Sequence, residues 1–108
     1  MILSNDQQKL FIKSLSDNFI IADAGSGKME RKIKCGFPND PDPSDIMQIN
    51  DRILFGTGSG VVYSIDKDYR SAPLLFLGNA RITTLQTADN NLVIAANCDG
   101  NIVIFKLK

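Results

Sequence analysis

The residues with the clearest chemical potential are Gly25, Ser26, Gly27 and Lys28, which follow the run Phe19-Ile20-Ile21-Ala22-Asp23-Ala24. A strand running into a glycine-bearing turn can aim backbone N–H groups at a phosphate, and a lysine beside the turn supplies the countercharge. Gly25, Gly27 and Lys28 thus define a nucleotide-binding alternative. Met29, however, stands where a hydroxyl would hold magnesium, and Ala22 where the leading glycine would be. Asp40, Asp42 and Asp45 are close enough in sequence to share a hard cation, but the glycine and terminal glutamate of a calcium loop are missing, so they read as solvated loop acids. The chain has no histidine, which excludes His-containing zinc sites, Ser-His-acid and Cys-His triads and an imidazole switch within it. Cys35 and Cys98 are too few for a four-cysteine metal site or a disulfide scaffold; both read as reduced thiols, Cys98 as a small buried filler. No metal and no cofactor is expected.

What would position such groups is a single small domain, since the chain has 108 residues. A hydrophobic fraction of 44% suffices for a packed core. Twelve bases against twelve acids leave no net charge, which argues against nucleic acid and anionic membrane as partners. No run approaches the ~18 apolar residues of a membrane helix. An acid, Asp6, near the start and no following apolar run disfavour a signal peptide, so a cytoplasmic or nuclear address is expected.

The chain repeats itself. A shift of 33 lays Asn18–Gly27 on Asp51–Gly60, and a shift of 40 lays that segment on Asn91–Gly100. Each copy has a polar turn pair, a short apolar run, small residues and a Ser-Gly or Asp-Gly turn. The runs are too short for helices and are bounded by turn formers, so each copy reads as a hairpin. Gly27, Gly60, Asp99 and Gly100 are the expected turn residues. Further strands are expected at 45–49, at 74–77 after Pro73, and at 82–85. In the last hairpin Ile102 and Ile104 share one face, Val103 and Phe105 the other. A strand apolar on both faces fits a sheet stacked between two others. At the N-terminus, Ser4 or Asn5 could cap a helix over 6–15, but the repeat favours a strand at Lys9–Lys13 as the first of its unit. The Pro38–Asp45 loop, with three of the four prolines, joins the first unit to the second.

On these residues, Ile82–Lys108 resembles a blade of the WD-repeat β-propellers. Leu92–Asn97 is similar to the second strand of such a blade, and Cys98-Asp99-Gly100-Asn101-Ile102-Val103-Ile104-Phe105-Lys106 to its turn and third strand. Phe105 stands where the family often has tryptophan, and Ser59–Asp66 repeats the pattern with Ile65 and Asp66. The resemblance covers 45–108 well and 9–37 poorly. It implies units at 9–37, 45–78 and 82–108 of one partial propeller. Phe19–Lys28, with Gln7 upstream, resembles instead the phosphate-binding loop of superfamily-one helicases, which would imply nucleotide binding.

The expected fold is therefore all-β: a propeller-like stack of about three short antiparallel four-stranded sheets in an incomplete ring. Closed propellers use about four to eight blades, so an end sheet must expose an apolar face. The third unit stops after its third strand, and a fourth would come from elsewhere. The expected function is a non-enzymatic protein–protein interaction or scaffold module that contributes blades to a larger assembly, with a protein partner or self-association completing the propeller; the alternative is that the chain is a fragment of a longer propeller. Ile53, Leu92, Ile94, Ile102, Ile104 and Phe105 are the expected blade-packing residues. Arg52, Tyr69, Arg70 and Arg81 are the candidate rim contacts, since arginine and tyrosine are enriched at interfaces.

Overall fold

Short apolar runs separated by residues that accept a left-handed backbone make this chain a succession of hairpins. The computed structural model describes residues 1–15, 17–40, 45–88 and 91–107. Among these residues, eleven strands form three antiparallel sheets. The first sheet runs in the order β1 (Ile2–Leu3), β2 (Lys9–Lys13), β3 (Asn18–Asp23), β4 (Met29–Lys34). The second runs β5 (Ile46–Ile49), β6 (Arg52–Gly56), β7 (Val61–Ile65), β8 (Ser71–Phe76). The third has β9 (Ile82–Thr87), β10 (Leu92–Asn97) and β11 (Ile102–Lys106). The sheets stack as an open, propeller-like series, none is closed into a barrel, and the described residues contain no helix.

The geometry corrects the repeat frame of the first unit. Asn18–Asp23 does not correspond to β6. It is the third strand of its sheet, as Val61–Ile65 is of the second. The matching shift is 43, which carries Lys9-Leu10-Phe11-Ile12-Lys13 onto Arg52-Ile53-Leu54-Phe55-Gly56 and Phe19 onto Val62. The turns confirm it. Asp17, Gly60 and Gly100 occupy the same position with φ of 69°, 89° and 86°. Each turn closes with the same backbone bond: Ser14 N–H to Asn18 O, Thr57 N–H to Val61 O and Asn97 N–H to Asn101 O. Lys9–Lys13 is thus a strand, as expected, but the second of its sheet, which begins at Ile2 rather than at residue 9.

Two cores fill the gaps between sheets. Phe11, Phe19, Ile21 and Ile33 of the first sheet meet Ile46, Ile53, Phe55 and Ile65 of the second, with Phe37 from the linker plugged between them. The Phe19 and Phe55 rings stack at 4.9 Å, and those of Phe55 and Tyr63 at 5.4 Å. In the second junction Ile49, Leu54 and Val62 meet Ile82, Leu85, Val93 and Ala95, with Leu77 as the linker plug. Gly56 lets these sheets approach closely: a Cβ there would lie 2.5 Å from Ile82 Cβ.

The linker acids differ from expectation. Asp40 is buried, its Oδ2 accepting from Gly58 N–H at 2.6 Å and lying 3.1 Å from the buried Lys13 Nζ. Asp45 Oδ2 accepts the Leu85 N–H at 2.9 Å. Both carboxylates tie one sheet to the next; Asp42 lies outside the described residues. The strand at 74–77 starts earlier, at Ser71, and contains Pro73, which is tolerated because β8 is an edge strand with a register shift between Val62 and Tyr63 opposite it. Cys98 is exposed, not a buried filler, and Cys35 is partly buried; both are free thiols.

Candidate interaction faces

Period-two alternation gives every sheet two faces, and the 43- and 40-residue frame assigns each face a direction. Phe11 and Phe19, then Leu54 and Val62, point onward to the next sheet, and all four are buried there. Their counterparts in the third sheet are Ile94 and Ile102, which share a face with Leu92, Ala96 and Ile104 by the β10–β11 register. No sheet among the described residues covers that face. Val62 is 0% exposed, whereas Ile102 is 66% and Ile104 64% exposed. Leu92 and Ile94 are half-buried, paired in the register with Lys106 and Ile104.

The first sheet is uncovered on the other side. Leu10 and Ile12 correspond to Ile53 and Phe55, which point backward, and pair with Ala22 and Ile20. Leu3 pairs with Leu10, and Met29 with Ala22. Leu3 and Met29 are exposed, and Leu10, Ile12 and Ile20 half-buried. None of these residues was singled out from the sequence. The alternation in Lys9–Lys13 reveals them only once the 43-residue frame is used.

The expected packing residues therefore divide. Ile53 is buried in the first junction, and Phe105 packs partly against the second. Leu92, Ile94, Ile102 and Ile104 lie on the uncovered face instead; within the chain, Val93, Ala95, Val103 and Phe105 do the packing. The rim candidates also divide. Arg52, Tyr69 and Arg70 gather around the β7–β8 turn, while Arg81 precedes β9 at the opposite end, its carbonyl accepting from Cys98 N–H. Tyr69 holds a left-handed φ of 62°, and the Arg31 guanidinium from the first sheet lies 4.1 Å from its ring centroid. A cleft of about 310 Å³ opens beside it between the first two sheets, lined by Asp6, Lys9, Gln48, Asp51 and Asp66 among others.

The glycine-lysine segment closes a hairpin. Gly25, Gly27 and Lys28 lie in the β3–β4 turn, with Gly27 at φ 74°. Asp23 Oδ2 accepts both the N–H and the hydroxyl of Ser26, at 2.8 and 2.9 Å, so an acid already occupies the turn's inward donors. β4 then pairs back antiparallel on β3, where a phosphate loop would lead into a helix. These bonds hold the Asp23 carboxyl below the ordinary carboxylate range, the Ser26 N–H contributing most. The Arg70 N–H acts on Asp66 in the same way, ahead of the Asp68 N–H. Burial pushes the Cys35 thiol and the Tyr63 phenol up. No three potential metal ligands cluster among the described residues.

The fold belongs to a class already seen in a designed molecule. The chain is similar to the crystal structure of the computationally designed Ika4 protein, with a TM-score of 0.67 and 13% identity over 94% of this chain and 61% of that one. The chain thus spans about three-fifths of that protein's length, and the likeness is one of fold alone. No protein-family model and no curated protein matches it.

Proposed function

We propose that this chain is a non-enzymatic interaction module whose two end sheets, with WD-repeat-like blade character, dock onto sheets of a protein partner. One observation carries the reading: Ile102, 66% exposed, occupies the repeat position at which Val62 is fully covered by the following sheet. A side chain placed for blade packing and left without a blade is an unmet contact, and contiguous apolar surface of this kind marks binding sites. The partner surface it fits is an apolar sheet face, since that is what covers the same positions inside the chain. Arg52, Tyr69 and Arg70 would contribute at the rim.

Affinity isolation with the wild-type chain and with an Ile102→Glu/Ile104→Glu variant tests this reading. Both exposed positions tolerate charge in the folded chain, so the variant should keep its fold and lose the proteins that the wild type retains. Retention of the same proteins by the variant would refute it.

A further inference from the structure

We infer that the occupant is a second copy of this chain, its first sheet covering the third sheet of its partner and the reverse, so that two chains close one ring of six sheets. This rests on the reading of the end faces as protein-binding surfaces. In both junctions within the chain an onward face meets a backward face: Phe19 and Ile21 against Ile53 and Phe55, then Leu54 and Val62 against Val93 and Ala95. The two uncovered faces are one of each kind. The onward face carries Ile94, Ile102 and Ile104; the backward face carries Leu10, Ile12 and Ile20. A copy turned head to tail therefore presents to each open face the type of surface that already covers its equivalents.

Area favours closure over a single contact. With strands ~4.8 Å apart and a rise of ~3.3 Å per residue, a face three strands wide and five residues long has a footprint of roughly 240 Å². One junction engages two such faces, roughly 500 Å² of footprint, which falls well short of the ~1,200 Å² at the lower end of stable interfaces. A two-fold ring engages all four, roughly 1,000 Å² of footprint, twice that of one junction and close to the lower end of stable interfaces. Head-to-tail contacts close into rings when the rotation permits, and six sheets lie within the range of about four to eight found in closed propellers.

The test is the solution mass by light scattering over a tenfold concentration range. The wild type is expected at twice its 11.9 kDa. Ile104→Glu and Ile12→Glu, one on each open face, are each expected to become monomeric with an unchanged β circular-dichroism spectrum. Mixing the two variants leaves one intact junction and one with a glutamate on each side, so the mixture is expected to associate more weakly than the wild type, and dimers as stable as the wild type would overturn the two-junction ring. If either glutamate variant loses its β spectrum, Ile104→Thr and Ile12→Thr replace the pair, with weakened dimerisation expected. A folded wild-type monomer, or larger open assemblies, would overturn the inference. So would a dimer that survives both Ile12→Glu and Ile12→Thr, because the third sheets would then pair with each other. A wild-type monomer whose retained proteins are still lost in Ile102→Glu/Ile104→Glu would refute the second copy alone and leave the interaction reading standing.

Discussion

The two junctions solve one packing problem with different chemistry. Between the first and second sheets the gap is filled by rings: Phe11, Phe19, Phe37, Phe55 and Tyr63 form a continuous series of aromatic contacts. Between the second and third sheets the described residues make no such contacts, and the backbones approach instead, with Gly56 under Ile82 and the small Ala95 in the core. A repeat can thus keep its strand frame while trading side-chain volume against sheet separation, provided both sides of a junction change together. The ties differ as well. The first junction is bridged by the buried Lys13–Asp40 pair and by Arg31 over Tyr69, the second by Leu85 N–H donating to Asp45 Oδ2 and by neutral bonds in which Asn97 and Asn101 donate to Leu77 O.

The strongest way to break the comparison is at the matching turn glycines. Gly60 and Gly100 share a left-handed conformation, but only at Gly60 would a Cβ overlap the Gly78 carbonyl of the linker. Gly60→Val should destabilise by more than ~3 kcal/mol through strain and overpacking, Gly100→Val by ~1–2 kcal/mol through backbone strain alone. Equal losses in urea unfolding would contradict the crowded linker. Next in size is the aromatic core. Phe55→Ala should cost ~3–5 kcal/mol, because it opens a cavity in a ring series, whereas Leu54→Ala on the opposite face should cost ~2–5 kcal/mol. A Phe55 variant that loses less than the Leu54 one would place the principal packing in the second junction.

The ion pair sharpens the contrast further. Asp40→Asn should cost ~3 kcal/mol, because it leaves the Lys13 charge buried beside Phe37. The double change Lys13→Met with Asp40→Asn should recover much of that, as removal of both charges does in other buried pairs. No recovery would show that the Gly58 N–H bond, and not the charge pair, is the important tie. The smallest effect is at the β7–β8 turn. The hydrogen-bonded Asp66 carboxyl titrates below its ordinary 3.8, so its contribution is present above that value and lost as pH falls through the lowered one. Asp66→Asn should therefore flatten the acid limb of thermal stability below about pH 4 and change little at neutral pH. An unaltered acid limb would contradict the turn geometry.

Much of this was legible in the sequence, and the misplaced parts have physical causes. Ser-Gly and Asp-Gly turns marked the second and third hairpins correctly because glycine is the usual signal of a left-handed turn. In the first hairpin the same position is held by Asp17, and no glycine announces it. Gly25-Ser26-Gly27, one hairpin later, imitated the composition of the missing turn and drew the frame off by one strand. The polar Met29–Lys34 is a strand all the same because an outermost strand need bury little; only Ile33 is buried there. Asp40 looked solvated because its partner, Lys13, is 27 residues away, beyond any local pattern. The open faces could be named only in part. Ile102 and Ile104 were visible as an apolar face, but which of two apolar faces is covered depends on the order of the sheets in space.

Val62 and Ile102 are one position in two environments, covered and uncovered. The direct measurement is urea unfolding of Val62→Asp and Ile102→Asp at concentrations low enough for both to be monomeric. Val62→Asp should lose more than ~3 kcal/mol, as an unpaired charge forced into a packed junction, while Ile102→Asp should stay within ~0.5 kcal/mol of the wild type. Comparable losses at the two positions would contradict it, because the third sheet would then be covered within the chain itself.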